Sequence, residues 1–417
     1  MQAVILAGGK GTRISSISDL PKPLIPVDGI SVIDRTIYQL KSYGINDIII
    51  TGGYKYEMLV EHFRNKHTAD LRMFIEETPL GSAGALYHIA DWITGDFLLI
   101  NGDLIFDIDL NRFIAFHEAH TDGNSISICV HPNSHPYDSA IVVTENDRVK
   151  QWIKKDEERG WYQNLVNAGI HILPKSILED IPYEKADLDT DVLIPHIDNM
   201  FAYRTPEYIS DMGTPERYAK VEEDVKNGVV TMKNLKYKQK AIFLDRDGVI
   251  NKYKGYIKNI DDFELIEGVA DAITDFHKMG YLVIVVTNQP VIARGELTED
   301  GLDEIHRKME TLLGQEGSYI DALYYCPHHP DGGFPGERPE LKFDCECRKP
   351  KPGMLFDARD KFNIDIKQSW TIGDSKRDVE AGKNAGTNTI LLEDGITLKD
   401  ATEIVRKGQH VLSKSTN

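Results

Sequence analysis

Short, mostly apolar runs alternate with longer segments of helical periodicity along the whole chain. The clearest of these runs are Ala3–Leu6, Asp47–Thr51, Phe97–Asn101, Ala241–Leu244, Tyr281–Thr287 and Thr389–Leu392. Strands that are buried on both faces of a parallel sheet are expected to be apolar throughout, and their alternation with helices is typical of α/β proteins. The pattern starts afresh after a lysine-rich stretch at 226–240. We therefore predict two α/β domains, at 1–230 and 241–417, joined by a linker at 231–240.

Length and charge narrow the class of protein. A chain of 417 residues exceeds what one hydrophobic core usually holds, which agrees with two domains. The net charge of −18 argues against a nucleic acid or an anionic membrane as a partner. No apolar run approaches the roughly 20 residues that span a bilayer. No basic segment precedes the first apolar run, so we expect no signal peptide and a cytoplasmic enzyme.

A glycine-rich turn follows the first predicted strand. Gly8, Gly9 and Gly11 allow the backbone to bring its N–H groups against phosphate oxygens. Arg13 can bind a phosphate through two hydrogen bonds. The spacing is not that of a Walker A loop. Lys22 lies between two prolines that fix its backbone, which suits a phosphate contact but is also compatible with an exposed loop.

Two aspartates add a candidate metal site. Asp103 follows the apolar run at 97–101, where ligands bind in open α/β sheets, and Asp211 precedes a predicted helix at 215–225. Together they could hold Mg²⁺ against a triphosphate, although helix capping or turn formation explains either aspartate alone.

Six ordered motifs contain these residues and resemble the sugar-1-phosphate nucleotidyltransferase family across 1–225: GGKGTR, PKPLIPV, PLGSAGAL, NGD, NAGIHIL and DMGTPERY. The resemblance implies that a sugar phosphate attacks the α-phosphorus of a nucleoside triphosphate and releases pyrophosphate, without a covalent intermediate. The implied site consists of Gly8, Gly9, Gly11 and Arg13 around the triphosphate, Lys22 and Arg13 as catalytic cations, Asp103 and Asp211 at Mg²⁺, Glu77 and Gly81 at the base and ribose, and Asn167, Gly169 and Asp191 at the sugar.

Two further segments, SDLPKPLIPV and GYKYEM, are most similar to the heptose-1-phosphate guanylyltransferases within that family. Mannose-1-phosphate guanylyltransferases and uridylyltransferases are the alternatives. The base preference and the anomer of the sugar stay open at this point.

The second domain opens with a strand that ends in Asp245-Arg246-Asp247-Gly248. Two carboxylates one residue apart can act as nucleophile and proton donor, with Mg²⁺ offsetting the repulsion between the nucleophile and a phosphate. A turn or a calcium loop is the alternative for so short a motif. Polar residues near later strand-like runs support a phosphate site: Thr287, Asn288, Lys349, Asp374 and Asp378.

This ordered set resembles the haloacid-dehalogenase-like phosphatases across about 240–395. The resemblance implies that Asp245 is the nucleophile and Asp247 the general acid and base. It also implies that Asp374 binds Mg²⁺ beside Asp245 and the carbonyl group of Asp247. Thr287, Asn288 and Lys349 would bind the phosphoryl group. The implied fold is two Rossmann-like domains, a nucleotidyltransferase mixed sheet followed by a haloacid-dehalogenase-like sheet with a zinc loop.

The zinc loop is predicted from two tight pairs of ligands. Cys326, His328, Cys345 and Cys347 offer the four nitrogen and sulfur ligands of a closed structural zinc site, with free buried cysteines as the alternative. The loop, with NQPVIARG and RKPKPGM, is similar to the heptose-1,7-bisphosphate phosphatases. Histidinol-phosphate phosphatases share the zinc pattern. Pro290-Val291 stands where the family commonly has Ser-Gly, so we expect a substrate loop of a different shape.

Both resemblances meet in one hypothesis. A phosphatase beside an enzyme that consumes a sugar 1-phosphate must remove a phosphate from another position. D-glycero-D-manno-heptose 1,7-bisphosphate fits: loss of the 7-phosphate gives heptose 1-phosphate, and GTP then gives GDP-heptose for surface-glycan synthesis. These small molecules are the expected partners, and the sequence is compatible with a homo-oligomer. One alternative is a mannose-1-phosphate guanylyltransferase, or another sugar-1-phosphate nucleotidyltransferase, fused to a histidinol-phosphate-type phosphatase. The other is a regulatory or binding protein with one degenerate domain.

Overall fold

A computed structural model describes residues 1–9, 12–14, 16–64, 71–393 and 395–414 of the chain. These residues form two compact units. The first contains Met1–His131, Val142–Ile153 and Asn167–Asn234, and the second contains Pro132–Ile141, Lys154–Val166 and the chain from Leu235 onward. Two segments from the N-terminal part of the sequence therefore group with the second unit.

The first unit is built around a nine-stranded mixed sheet, in the order β5-β4-β1-β6-β11-β8-β12-β10-β9. With the strands of two small sheets included, the strands of this part of the chain are β1 (Gln2–Leu6), β2 (Pro26–Val27), β3 (Ile30–Ser31), β4 (Ile48–Gly52), β5 (Leu71–Ile75), β6 (Phe97–Asn101), β7 (Leu104–Asp107), β8 (Ile126–His131), β9 (Ile141–Glu145), β10 (Arg148–Ile153), β11 (Val166–Leu173), β12 (Met200–Arg204) and β13 (Tyr208–Asp211). Strands β5, β4, β1 and β6 are parallel, and β11 is antiparallel to β6. Two small sheets, β2–β3 and β7–β13, complete the unit.

Helices of the first unit follow from capping and apolar periodicity. They are α1 (Val32–Ser42), α2 (Tyr56–Arg64), α3 (Gly84–His88), α4 (Leu110–His120), α5 (Pro215–Lys226) and α6 (Val229–Met232). The Ser31 hydroxyl accepts the Asp34 N–H and starts α1, and the Thr214 hydroxyl accepts the Arg217 N–H and starts α5. The cap at Thr214 fixes the chain immediately after Asp211.

The second unit has a five-stranded parallel sheet, in the order β16-β15-β14-β17-β18. Its elements are β14 (Lys240–Leu244), α7 (Val269–Lys278), β15 (Tyr281–Asn288), α8 (Glu299–Gln315), β16 (Ala322–Cys326), α9 (Gly353–Phe362), β17 (Trp370–Gly373), α10 (Lys376–Ala385), β18 (Asn388–Leu391) and α11 (Leu398–Lys414). This arrangement confirms the predicted α/β class. Among the described helices, none is both long and apolar enough to cross a bilayer.

The earlier segments of the second unit contact α8 through buried polar groups. The Tyr162 N–H donates to the Thr311 hydroxyl at 2.9 Å, and the Asn164 N–H donates to the Glu310 carboxylate at 2.7 Å. The buried carboxylate of Glu310 is thereby matched to a backbone donor.

Candidate active sites

The first candidate site lies where the neighbouring parallel strands β1 and β6 end. Gly8 and Gly9 follow β1, and Asp103 follows β6. The Gly102 N–H donates to the Leu6 carbonyl at 2.9 Å, and a Cβ atom on Gly102 would come within 2.6 Å of that oxygen. Glycine at this position lets the strand ends approach each other and brings Asp103 to the glycine turn.

Lys22 and the two predicted metal-binding aspartates lie together. Lys22 Nζ is 2.7 Å from Asp103 Oδ2. Asp211 is paired with Leu104 in the antiparallel β7–β13 ladder, and the Met212 N–H donates to the Asp103 carbonyl at 3.3 Å. The structure thus brings together three residues that are far apart in sequence.

The Asp211 carboxylate has two donors of its own. Arg217 Nη1 donates to Oδ2 at 2.7 Å, and the Gly213 N–H donates to Oδ1 at 2.7 Å. Burial opposes ionisation, but these hydrogen bonds outweigh it and lower the pKa of Asp211. Arg13 Nη2 is 3.5 Å from the position of a Cβ atom on Gly213. Gly11, the third glycine of the predicted turn, lies outside the described residues.

Glu76 is a buried carboxylate at the glycine turn. A Cβ atom on Gly8 would lie 2.9 Å from Glu76 Oε1, whereas Glu76 Oε2 accepts the Leu80 N–H at 3.1 Å. Burial raises the pKa of Glu76. Glu77, the residue predicted to read the base, is exposed. The side chain that turns toward Gly8 is therefore the neighbour of the predicted one.

Gly81 allows its loop to lie against a later segment of the chain. Its φ is +84°, and a Cβ atom there would collide with the Ala186 carbonyl. The Ala186 N–H donates to the Leu80 carbonyl at 2.9 Å. One residue further, the Asp187 N–H donates to Asp191 Oδ2 at 2.7 Å. The loop of Gly81 and the predicted sugar-binding Asp191 thus belong to one hydrogen-bonded arrangement.

Asn167 and Gly169 lie on β11, next to β6. Gly169 has φ +72°, and a Cβ atom there would be 2.5 Å from Asn101 Nδ2. Asn167 Oδ1 accepts the Gly169 N–H at 3.2 Å and is 2.9 Å from His171 Nε2. Burial lowers the pKa of His171 to about 3, so its imidazole is neutral. Both predicted sugar-site residues therefore lie near the strand end that precedes Asp103.

The second candidate site lies at the carboxyl ends of three adjacent parallel strands. Asp245 follows β14, Thr287 and Asn288 end β15, and Asp374 follows β17. The Asn288 side chain holds the backbone of Lys349, because Oδ1 accepts the Lys349 N–H and Nδ2 donates to its carbonyl, each at 3.0 Å. The strand ends therefore gather all the predicted phosphate-binding residues.

Lys349 is a buried cation of this site. Its Nζ is 2.9 Å from Asp245 Oδ1 and 2.6 Å from Asp378 Oδ1, and it donates to the Val286 carbonyl at 2.8 Å. Asp378 is held in turn by the Ser375 hydroxyl and N–H in a capping box that starts α10. One lysine thus bridges the predicted nucleophile and a second buried carboxylate.

Three carboxylates form a group that could hold a cation. One oxygen from each of Asp245, Asp374 and Asp378 lies within 4.8 Å of the others. Burial and the nearby Asp245 raise the pKa of Asp374 to about 6, and burial raises the pKa of Asp245. A Cβ atom on Gly248 would collide with the Asp374 carboxylate. The donor set and its excess negative charge fit a hard divalent ion.

The predicted zinc ligands also converge. Cys345 Sγ is 3.4 Å from Cys326 Sγ and 3.2 Å from Cys347 Sγ. His328 Nδ1 is 3.3 Å from Cys347 Sγ and 3.7 Å from Cys326 Sγ. All four cysteines of the chain are free thiols. Tetrahedral zinc–thiolate bonds place sulfurs about 3.8 Å apart, so this cluster fits the size of a zinc site.

The departure at Pro290-Val291 has a packing explanation. Val291 and Ile292 are fully buried and form a small apolar cluster with Leu302 of α8. The Gln289 side chain, just before this turn, donates to the Thr287 hydroxyl at 3.0 Å and to Asp247 Oδ2 at 2.9 Å. The loop is thus anchored to the protein interior and contributes a donor to the site.

Comparison with known proteins decides the family. The nucleotidyl transferase family matches residues 2–228, and a family of HAD-like hydrolases matches residues 346–416. The chain belongs to the nucleotidyl transferase family, and its C-terminal part belongs to the HAD-like hydrolases. It is an enzyme with a nucleotidyltransferase domain and a phosphatase domain.

Two curated phosphatases and one solved structure are each similar to a part of the chain. A D-glycero-beta-D-manno-heptose-1,7-bisphosphate 7-phosphatase of Salmonella typhi is 42% identical over 177 residues, which are 42% of this chain and 86% of the relative. The enzyme of the same name from Pasteurella multocida is 43% identical over 178 residues, which are 42% of this chain and 92% of the relative. The crystal structure of HddC from Yersinia pseudotuberculosis is 28% identical, with a TM-score of 0.48, over 54% of this chain and 99% of that one.

Three residues of this nucleotidyltransferase and phosphatase chain were not assigned a role from the sequence: Glu76, Arg217 and Arg246. Arg217 lies just after the start of α5, and in the sequence it resembles any cationic residue on a helix surface. Its contact with Asp211 depends on the Thr214 cap, which turns the first helical residues toward the strand end. Arg246 lies between two aspartates and is nevertheless fully buried.

Proposed function

We propose that the chain removes the 7-phosphate of D-glycero-D-manno-heptose 1,7-bisphosphate and then transfers GMP from GTP to the resulting heptose 1-phosphate. The observation that carries this proposal is the similarity of the second unit to heptose-1,7-bisphosphate 7-phosphatases, on a chain whose first unit is a nucleotidyltransferase. A nucleotidyltransferase of this kind consumes a sugar 1-phosphate. A phosphatase that spares the anomeric phosphate would supply that substrate.

In the phosphatase step, an Asp245 oxygen attacks the phosphorus of the 7-phosphate, and the bond from phosphorus to the sugar oxygen breaks. Asp247 gives its proton to the departing oxygen. Water then attacks the phospho-aspartate and returns a proton to Asp247, which releases phosphate and restores Asp245. Lys349, already 2.9 Å from Asp245, offsets the negative charge that the phosphate brings.

Carboxylates in both sites could hold a metal ion. Asp245 and Asp374 of the phosphatase unit, with the carbonyl group of Asp247, would hold Mg²⁺, as Asp103 and Asp211 would in the nucleotidyltransferase. Bound Mg²⁺ supplies positive charge at the reacting phosphates. The Cys326/His328/Cys345/Cys347 cluster would hold Zn²⁺ as a structural ion, since four protein ligands leave no position for water.

In the nucleotidyl transfer step, an oxygen of heptose 1-phosphate attacks the α-phosphorus of GTP, and the bond to the pyrophosphate oxygen breaks. Lys22 and Arg13 lie near Asp103 and Asp211 and would neutralise the phosphates. No proton needs to move, so positioning and charge neutralisation account for the catalysis. Since GTP is an intracellular nucleotide, we place the reaction in the cytoplasm.

Recognition of the base would fall to Glu76. A carboxylate can accept hydrogen bonds from both N1–H and the 2-amino group of guanine, whereas uracil and adenine offer no such pair of donors. Glu76 is buried against Gly8 and keeps one oxygen, Oε1, turned toward the glycine turn. We therefore assign the base-reading role to Glu76 in place of Glu77. This assignment favours guanylyl over uridylyl transfer.

Phosphorus NMR of a one-pot reaction tests the proposal. Wild-type protein with heptose 1,7-bisphosphate, GTP and Mg²⁺ should give heptose 1-phosphate and then GDP-heptose. Asp245→Asn should leave the bisphosphate intact but still convert added heptose 1-phosphate. Asp103→Asn should stop at heptose 1-phosphate. Loss of the anomeric phosphate before the 7-phosphate would refute the proposed order of reactions.

A further inference from the structure

The Asp247 carboxylate accepts hydrogen bonds from three different side chains. Arg246, its neighbour in sequence, donates to Oδ1 from Nε at 3.2 Å and from Nη2 at 2.9 Å, and to Oδ2 from Nη2 at 3.0 Å. Asn251 Nδ2 donates to Oδ1 at 3.1 Å, and Gln289 Nε2 donates to Oδ2 at 2.9 Å. Both oxygens of the carboxylate are therefore held from more than one side.

The backbone of the turn makes this clamp possible. In an extended chain, the side chains of adjacent residues point to opposite faces. Here the Arg246 carbonyl accepts the N–H groups of Ile250 at 2.9 Å and Asn251 at 3.1 Å, and Gly248 has φ +81°. The chain therefore bends directly after β14 and allows the Arg246 guanidinium to reach back to its neighbour.

Arg246 is itself locked in place. Its side chain is 0% exposed, and Nη1 is 3.2 Å from Nε2 of His306 on α8. His306 is buried, and burial together with Arg246 holds its pKa well below the usual value. The imidazole is therefore neutral and can accept from Nη1. The buried cation has the Asp247 carboxylate on one side and an uncharged acceptor on the other.

The side-chain amides of Asn251 and Gln289 are also oriented toward Asp247. The side-chain oxygens of Asn251 and Gln289 are buried and have no hydrogen-bond partner among the described residues. Both amides thus direct their nitrogens to the carboxylate while their own oxygens stay unmatched. Hydrogen bonds to a charged carboxylate are stronger than those between neutral groups, which favours this orientation of the two amides.

We propose that Arg246 is a positioning residue that reserves the Asp247 side chain for proton transfer. The oxygens of Asp245, Asp374 and Asp378 gather within 4.8 Å, a group that does not include the Asp247 carboxylate. A fourth carboxylate so close in sequence would be drawn to the same cation. Arg246 gives it a counter-charge of its own and keeps it apart. The inference rests on the proposed role of Asp247 in both proton transfers.

Pre-steady-state hydrolysis of 4-nitrophenyl phosphate by the full chain isolates this role. Nitrophenolate leaves without being protonated, so formation of the phospho-aspartate needs Asp245 and Lys349 but no proton donor. Hydrolysis of the phospho-aspartate still needs Asp247 to accept a proton from water. A variant in which Asp247 is misplaced should therefore release a burst of one nitrophenolate per site at the wild-type rate. Slow turnover should follow the burst.

Arg246→Met should show this burst and stall. It should hydrolyse an alkyl phosphate such as heptose 1,7-bisphosphate about 10–100-fold more slowly than wild type, which is part of the roughly 10²–10⁴-fold that a general acid or base contributes. Asp247→Asn should show the same pattern more strongly. Arg246→Lys, which keeps the charge but not the forked donors, should recover part of the turnover. Arg359→Met is the matched control, since Arg359 forms the same fork with its neighbour Asp360, at 2.7 and 2.9 Å, on an exposed surface. It should behave as wild type.

A purely structural role for Arg246 predicts a different outcome. The burst would shrink or slow together with turnover, and the alkyl and aryl phosphates would suffer equally, which would overturn the inference. If Arg246→Met does not fold, His306→Phe removes the acceptor of Nη1 and should give a weaker stall after a full burst. If wild type turns over aryl phosphate but not the heptose bisphosphate, the substrate assignment falls, while the burst of the variants still decides the role of Arg246.

Discussion

Replacement of Lys349 by methionine would test the electrostatic balance of the phosphatase site. The lysine side chain is 2% exposed and lies within 2.9 Å of Asp245 and 2.6 Å of Asp378. Methionine preserves most of the stem and removes the charge. The variant would leave two carboxylates facing each other, one of them as buried as the lysine itself.

The expected loss of stability follows from that burial. Removal of one partner from a buried ion pair costs about 3–5 kcal/mol, because the remaining charge is left uncompensated. For a unit of this size, about 2–4 °C of melting temperature corresponds to each kcal/mol. We therefore expect the transition of the phosphatase unit to fall by about 6–20 °C in buffer without added Mg²⁺, with loss of phosphatase activity and retention of nucleotidyl transfer.

Calorimetry of the full chain with two companion variants completes the test. Lys351→Met removes a lysine two positions away that pairs with Asp344 at 2.7 Å and Glu346 at 3.2 Å on the surface, and it should cost less than about 1 kcal/mol. Asp378→Asn added to Lys349→Met should restore part of the lost stability, with a coupling of about 0.5–3 kcal/mol. The reasoning fails if Lys349→Met melts like Lys351→Met, or if Asp378→Asn makes the Lys349 variant worse.

Three further predictions concern the base, the zinc loop and pH. Glu76→Gln should lower kcat/KM for GTP by about 10–100-fold, because hydrogen bonds to a charged group are lost. Glu77→Gln should leave kcat/KM for GTP unchanged. If the two variants lower kcat/KM equally in an assay with four nucleoside triphosphates, the assignment of Glu76 is wrong. Elemental analysis should find one zinc per chain in the wild type and in Cys129→Ser, but none in Cys345→Ser. Because the pKa of Asp374 is raised to about 6, its protonated form favours folding at low pH, and this contribution is lost as pH rises from about 4 through 6. Without Mg²⁺, wild type should therefore lose stability relative to Asp374→Asn over that range, and a constant difference would contradict the shift.

The sequence was sufficient for features that depend on strand ends. Asp103, Asp245 and Asp374 each follow an apolar run, and the carboxyl ends of parallel strands necessarily meet at one edge of a sheet. The convergence of the two ligand pairs around Cys326 and Cys345 could also be predicted, because few arrangements other than a metal site bring three thiols into one loop. In these cases the local pattern and the topology suffice.

What could not be predicted depends on which way a single side chain turns. Glu76 and Glu77 follow β5 directly, and only the register of that strand decides which one enters the site. Arg217 appears as a surface residue of α5 until the Thr214 cap fixes the first turn. Such choices are set by packing between segments distant in sequence, which hydrophobic periodicity does not record.

The charges of the phosphatase site show why this matters for mechanism. The motif Asp245-Arg246-Asp247 displays two carboxylates and one cation but does not say which carboxylate the cation serves. In the structure Arg246 binds Asp247, and Asp245 receives its positive charge from Lys349. The predicted nucleophile Asp245 therefore shares its lysine with Asp378, whereas Asp247, the proposed proton-transfer group, has an arginine of its own. Two carboxylates one residue apart can then perform different chemistry, because each has a buried counter-charge of its own. Their neighbours in the sequence do not show this difference.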